Sequence, residues 1–573
     1  MAEAQEFMRK VAARFRRIAR RSAIRAWSRA NRAVVARRRR FPVLRRLVDP
    51  ELLRLETLAP RREVTVYRGR QVISTFSERA TPWHLSAVAA DHVVRALDQA
   101  GVEYFATHAP YTRVSRWAVR RKDLPALVKV LKDELGELGF YYALEGIERG
   151  SQLVLRGLTS RELEAVRSFT LFQYVRCSET GRLFGPPEGC DVAVWDEDED
   201  GNLRSPDRDS IIQQIGAASA PELVERPRWD GRLERRLAAS EHDAFSIEFP
   251  VDAVYLWVDD SDPRWREKRE AVRLSLGMEP SPASTDESVA AHRFRDRGEL
   301  RASMRSLEMY APWIRNIYLV TDEQRPDWLD SEHGRVQVVD HRDIFADPRV
   351  LPSYNSHAIS SQIHRIPGLA DHYLLMNDDV MFNRPVTPYS FFTSTGQLRV
   401  NFSRSRRPDI PRESQTSLEL ARSNSAALLE RDHGHRASSL FGHVPVPQSK
   451  DVALELEQRY GEEIRRTVAS PFRAETDVVI NSWLHLYTAL FTGRAVRANI
   501  RFGYFNIGNT AVRQKMDRLE FVRKFQVICL NDVPPPGGEQ EADPEWLAHW
   551  LQRVYPIRAP FEIEDEGPVA RGA

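Results

Sequence analysis

Residues 254–262 read Val254-Tyr255-Leu256-Trp257-Val258-Asp259-Asp260-Ser261-Asp262, and residues 373–379 read Tyr373-Leu374-Leu375-Met376-Asn377-Asp378-Asp379. Each is a short apolar run that ends abruptly in carboxylates. A run of this length bounded by polar residues predicts a strand buried on both faces, as in a parallel sheet. In open α/β sheets ligands collect beyond the carboxyl ends of the strands, which is where both acidic clusters fall. Adjacent carboxylates are costly there unless something positive neutralises them. A hard divalent cation held by one or two carboxylates and by phosphate oxygens does this. Acidic strand tips also occur without function, but two in one domain point to a site.

Outward from these runs, strand-like segments recur at 317–320 and 336–339, with a helical stretch from Gly298 to Met309 between them. This alternation predicts an α/β domain with a mainly parallel sheet over 245–535. Arg293, Arg295, Arg297, Arg301 and Arg305 crowd the start of that helix, and Arg365 and Arg473 stand further along. Guanidinium groups at a helix start suit a phosphate, and a solvated helix face has the same composition. His357 and the pair His364-Arg365 precede the second acidic tip.

Residues 61–235 predict a smaller α/β domain. A helix over 84–100 ends at Gly101 and is followed by a strand at 102–106. Asp123 and Pro125 open a second helix carrying Leu127, Leu131, Leu135 and Leu138, and further strands are expected at 151–156 and 190–195. Asp196, Asp198, Asp200, Gly201 and Asp207 approximate a calcium loop. However, Asp207 stands where Glu belongs, Pro206 precedes it and a strand leads in, so an acidic hairpin tip is expected. Residues 226–245 read as a polar linker, and 536–573 as a loose C-terminal tail with a short aromatic helix near 546–554.

Residues 1–60 form an arginine-rich arm. A net charge of +3 hides it, because the remainder of the chain is net acidic. Met8, Val11, Phe15, Ile18, Ile24 and Trp27 give the arm one apolar side at helical spacing. A basic amphipathic helix suits an anionic membrane surface, each Lys or Arg contributing about 1 kcal/mol, and equally suits packing on the protein itself or on a second copy. No recognition motif accompanies the charge, so nucleic acid is not an expected partner. The 573 residues call for two or three folding units, and 42% hydrophobic with 29% charged residues excludes a disordered chain. Cys177, Cys190 and Cys529 lack CxxC spacing, which argues against a zinc ribbon or disulfide framework and for a reducing compartment. Without a long apolar run or a cleavable leader, the expected location is the cytoplasm, peripheral to the inner face of the plasma membrane if the arm anchors it.

Four stretches, in order, resemble the conserved regions of the Stealth family, which includes bacterial capsule polymerases and the lysosomal-enzyme N-acetylglucosamine-1-phosphotransferase. The first is Asp252-Ala253-Val254-Tyr255-Leu256-Trp257-Val258-Asp259-Asp260-Ser261-Asp262-Pro263. The second runs from Arg293-Phe294-Arg295-Asp296 through Gly298-Glu299-Leu300-Arg301, Ala311-Pro312-Trp313, Leu351-Pro352, Asn355-Ser356 and His364-Arg365-Ile366-Pro367-Gly368-Leu369 to Asn377-Asp378-Asp379-Val380. The third comprises His443-Val444-Pro445, Phe472-Arg473 and Asp477, and the fourth Ile528-Cys529-Leu530-Asn531-Asp532.

The resemblance implies a Rossmann-like, GT-A-related nucleotide-sugar-transferase fold. It implies transfer of a hexose-1-phosphate from a UDP-sugar to an acceptor glycan, with Mg or Mn as cofactor. Asp378, Asp379 and Asp532 would hold the metal. Trp257, Asp259, Asp262, Arg295, Arg301, Asn355, Arg365 and Asn377 would line the nucleotide and its phosphates. His443, Asp379, Arg473, His364 and Asp477 would carry catalysis, with His443 as general base and His364 in reserve. Ser360 stands where the family often has Glu, Arg297 where Asn is common, and Val446 where a histidine or aromatic occurs. The other readings are a conventional glycosyltransferase, which releases nucleoside diphosphate, and a non-catalytic membrane-associated scaffold.

Overall fold

The computed structural model describes residues 33–36, 46–67, 69–78, 80–108, 112–144, 152–153, 165–207, 212–217, 222–238, 244–278, 294, 296–406, 411–531 and 543–563. The apolar side of the arm, Arg293, Arg295 and Asp532 lie outside them. The chain forms two compact units, one reaching residue 241 without 109–111, the other comprising 109–111 and 242–573.

The first unit holds a four-stranded sheet and a larger ten-stranded mixed sheet, the larger covered by the helices Pro82–Gln99 and Leu124–Leu135. Val93, Leu97, Leu127 and Leu131 recur at helical spacing and pack on Trp117 and Val192 of the sheet. At the end of strand Cys190–Glu197 the Asp198 carboxylate accepts the N–H groups of Asp200 and Asn202 and the Arg204 guanidinium. That is the acidic hairpin tip read from the sequence. The polar stretch after Arg226 is not a linker. Leu223–Pro227 and Leu233–Leu237 pair antiparallel and extend the sheet. Its charges misled because they satisfy one another inside: Glu234 and Arg236 are buried, Glu234 facing His108 at 3.2 Å and Arg236 donating to the His108 carbonyl at 2.6 Å.

The second unit is built on four parallel strands: β1 (Val251–Leu256), β2 (Ile317–Thr321), β3 (Val336–Asp340) and β4 (His372–Met376). Their order is β3-β2-β1-β4, and Val446–Ser449 adds antiparallel to β4. β1 and β4 are buried nearly throughout, as their unbroken apolar runs require. Asp252 is the exception on β1. Fully buried, it accepts Arg315 Nε and Nη2 and the N–H groups of Asn316 and Ala370, so it fastens the amino end of the strand far from the acidic tips. A second small sheet joins β5 (Val380–Phe382), β6 (Phe502–Asn506) and β7 (Val527–Asn531), with β7 in the middle.

Three helices frame the carboxyl ends of the strands: α1 (Pro263–Ser275), α2 (Glu299–Tyr310) and α3 (Ser356–Gln362). Gly298 caps α2 at φ 93°, a left-handed conformation that glycine takes without strain. Residues 543–563 are not a loose tail. A helix, Pro544–Val554, buries Leu547, Trp550 and Leu551, and beyond it Tyr555 and Phe561 are fully buried. The acidic composition there hid its partner, for Glu562 is a buried counter-ion to Arg301 and Arg305.

Candidate functional site

The strand order reverses between β1 and β4, and the crevice outside their carboxyl ends is where such a sheet takes ligands. A cavity of about 690 Å³, counting its open mouth, lies there. Trp257, Trp265, Phe294 and Tyr354 make its walls, with Asp322, His341, Ser356 and Asp378 as polar positions. Trp257 is fixed by its indole N–H, which donates to Asp296 Oδ2 at 2.7 Å, while Asp296 Oδ1 accepts the Gly298 N–H that opens α2. Tyr354 stacks on Phe472 with ring centroids 5.3 Å apart, joining the third conserved stretch to the pocket wall.

Asp378 and Asp379 leave β4 at the pocket edge. Burial, then Asp379, Asp296 and Glu299, push the Asp378 carboxyl well above the usual carboxylate range. Burial raises Asp379 to about 6, against the opposing influence of the Cys529 thiol, which donates to its Oδ2 at 3.2 Å. Asp379 Oδ1 is buried without a partner. Four carboxylates crowded at low solvation with one oxygen orphaned are what a cation relieves. Among the described residues no three His, Cys, Asp or Glu side chains converge as a complete metal cage. Two carboxylates fit Mg²⁺ or Mn²⁺, which is held by few protein ligands when waters and substrate phosphates supply the rest.

On the other side of Asp379 stands Tyr504, paired with Cys529 across β6 and β7. Burial, then Cys529 and Asp379, raise its hydroxyl to about 12. The exposed His443 ring lies 4.7 Å from the Tyr504 ring. Packing of the surrounding protein, which partly desolvates it, and the nearby Arg422 guanidinium lower its pKa. Arg422, half-buried on the helix Ser417–His433, forms no hydrogen bond or ion pair with any described residue. Nothing in the sequence singled out Arg422 or Tyr504; one is a single cation in an ordinary helix, the other a lone aromatic in a strand.

Asn355 and Asp477 are fully buried and tied together, Nδ2 donating to Oδ2 at 2.8 Å. Asn355 also caps α3 by accepting the His357 N–H, so this pair positions the helix rather than touching a ligand. Arg473 Nη2 donates to Ser356 Oγ at 2.9 Å, which puts its guanidinium one hydrogen bond from the pocket. Asp259 shapes the turn after β1 by accepting the Ser261 N–H, and Asp262 caps α1 by accepting the Arg264 N–H. Asn377 is exposed at the strand tip.

Three expected site residues lie elsewhere. Arg301 is bound to the buried Glu562 at 2.7 Å, where its charge is already matched. Arg365 and His364 both pair with Glu457, at 2.8 and 3.2 Å. The reason is the extent of α3. Ser356 and Ile359 of α3 line the pocket, but the helix ends at Gln362, and His364 and Arg365 fall in the 3₁₀ turn that follows it. Ser360 turns its hydroxyl back to the His357 carbonyl at 3.3 Å.

Three conserved regions described for Stealth proteins match this chain: region 1 at residues 249–277, region 2 at 293–400 and region 3 at 442–490. Exopolysaccharide phosphotransferase SCO6023 of Streptomyces coelicolor is 37% identical over 489 residues, 82% of this chain and 82% of its own. The chain belongs to the Stealth family of sugar-phosphate transferases. Other Stealth relatives are exopolysaccharide phosphotransferase SCO2594 of the same organism, 32% identical over 88% of each chain, and CpsY of Mycobacterium tuberculosis, 34% identical over 68% of this chain and 72% of its own. The galactosyltransferase LgtC, solved with donor and acceptor sugar analogs, overlaps 55% of this chain and 98% of its own at 12% identity. Its TM-score of 0.29 is too low to say anything of chemistry. All three Stealth regions fall in the second unit, and the Asn355–Asp477 bond links the second to the third.

Proposed function

We propose that this Stealth protein transfers a hexose-1-phosphate, or its N-acetylhexosamine counterpart, from a nucleotide sugar to a hydroxyl of a cell-surface polysaccharide, forming a phosphodiester. The observation that carries the reading is an aromatic pocket with Asp378 on its lining and Asp379 next in the chain, with Arg473 bonded to Ser356 at the pocket and Arg422 close to His443. A planar base suits the aromatic walls, and a diphosphate suits the carboxylate end if a cation lies between. UDP is the nucleotide we assign, and the membrane-facing arm remains part of the proposal. Among the described residues no helix is long and apolar enough to cross a membrane.

Asp378 and Asp379 would hold the divalent ion, which would neutralise the diphosphate oxygens. His443 takes the proton of the acceptor hydroxyl as that oxygen attacks the sugar-bearing phosphorus. A new phosphorus–oxygen bond forms, the bond from that phosphorus to the bridging oxygen breaks, and nucleoside monophosphate leaves carrying the oxygen. The bond from the anomeric carbon is untouched, so anomeric configuration is retained. Arg422 and Arg473 offset the negative charge on the phosphoryl oxygens as it redistributes.

The decisive experiment incubates the protein with a nucleotide sugar, a divalent metal and acceptor glycan and identifies the nucleotide released. Nucleoside monophosphate together with a phosphodiester signal in the product supports the reading. Nucleoside diphosphate would replace it with ordinary glycosyl transfer.

A further inference from the structure

The second unit carries a charged surface that the donor pocket leaves unused. Three short strands, Leu398–Arg406, Ser439–Phe441 and Ala495–Ala498, form one sheet with Leu398–Arg406 in the middle. They hold four arginines and no aspartate or glutamate, so the sheet brings no counter-charge of its own. Phe402 pairs with Phe441, and Arg406 with Ser439. Opposite residues share a face, and Phe441 and Ser439 are two apart, so all of them project to the same side. Phe402 and Phe441 stack there with ring centroids 4.8 Å apart, both half-buried, and the Arg497 guanidinium lies 5.1 Å from the centre of the Phe402 ring. Arg406 stands close to Tyr487, which packs edge-on against Phe441. Arg404, Arg406 and Arg497 are exposed, and none of them forms an ion pair with a described residue.

We infer that this strip is the track for the acceptor, and that it takes a negatively charged glycan, one bearing phosphodiesters or carboxylates along its length. The inference rests on reading the second unit as one that acts on an acceptor glycan with His443 as the base. Position argues for it. His443 follows Phe441 by two residues, and the Gly442 N–H between them donates to the Asn401 carbonyl at 2.7 Å, which ties the segment carrying the base to the arginine-bearing strand. None of the strip residues lines the aromatic pocket, so a second substrate can occupy them while the donor is bound. Composition argues for it too. The stacked ring pair offers an apolar surface on which the C–H face of a sugar ring can pack. The guanidiniums beside it, lacking carboxylate partners, bind oxyanions in a forked geometry that a neutral sugar does not use. A neutral acceptor would leave these arginines without an anion.

The test titrates the full-length protein by calorimetry, without donor. The probes are a phosphodiester-linked hexose oligomer, an oligogalacturonate, a neutral glucan of the same length and vesicles of phosphatidylglycerol. The wild type should bind an anionic oligomer about tenfold more tightly than the glucan at low ionic strength, and the gap should close as salt is raised. Tighter binding of the phosphodiester oligomer identifies a phosphate-bearing acceptor, and tighter binding of the oligogalacturonate a carboxylate-bearing one. Arg406→Gln combined with Arg497→Gln should bring anionic and neutral oligomers within about threefold of each other, with affinity for the nucleotide-sugar donor unchanged. Wild-type protein that binds anionic and neutral oligomers equally, or binds neither, would overturn the inference, as would a preference that survives the double variant. Vesicle binding that the variant loses, with no preference among the glycans, would also overturn it and assign the strip to a membrane surface. Release of nucleoside diphosphate in the transfer assay would replace the phosphotransfer reading and leave the acceptor track standing.

Discussion

His443 feels two influences that act in the same direction: partial desolvation by the protein around it and the neighbouring Arg422 guanidinium both disfavour the imidazolium. A base works above its own pKa and is lost as pH falls through it. The acidic limb of kcat should therefore lie below pH 6.5, the ordinary histidine value. Arg422→Ala should move that limb upward while lowering turnover, because repulsion and phosphate contact are removed together; a pH–rate profile reads both. His443→Ala should slow turnover by about 10²–10⁴-fold with donor affinity unchanged. An unaltered kcat would remove His443 from the role of base. At this scale the sequence was a partial guide. His443, Asp378 and Asp379 were picked out because they follow strands or stand in recognisable stretches, and they carry the site we propose. Arg301, Arg365 and His364 were not, since a guanidinium or imidazole reads the same whether it faces a phosphate or a carboxylate 261 or 92 positions away.

The elements were easier to read than their cargo. Unbroken apolar runs gave β1, β2 and β4 within a residue or two, because a strand buried on both faces has no room for polar alternation, while β3 is the edge strand and exposes Gln337 and Val338. What a run cannot tell is where the next helix stops, and α3 ends at Gln362, before His364 and Arg365. The helix depends on one side chain. Asn355 caps it and donates to Asp477, and also to the carbonyls of Ser470 and Phe472 at 3.3 Å. Asn355→Ala leaves that carboxylate without its side-chain donor inside the protein, and should lower unfolding stability by about 1–3 kcal/mol in a denaturant titration. Polar pairs also misdirected the domain reading, since the charges of 226–237 looked like a linker and proved to be a sheet edge with its own internal partners.

For the whole molecule, every described residue of the site belongs to the second unit. A fragment of residues 242–573 should accordingly bind the nucleotide-sugar donor as the full chain does in a calorimetric titration, and a complete loss in a folded fragment would remove the assignment of the site to this unit. The C-terminal clasp sets the stability of that fragment. Burial opposes ionisation of Glu562, but the Arg305 and Arg301 guanidiniums outweigh it and hold the carboxyl below its ordinary value. Its contribution is present above that value and fades as pH falls through the lowered one. Glu562→Gln should cost about 3–5 kcal/mol near neutrality, and wild type and variant should converge in acid. Glu562 also follows Arg301 by 261 residues. While the ribosome is still working through that interval, α2 presents two guanidiniums to a place where their counter-ion has yet to be made. Synthesis order thus leaves those two charges without this counter-ion until the last turn of the clasp has been made, while Ser303 and Ser306 already tie α2 to β1 and β5.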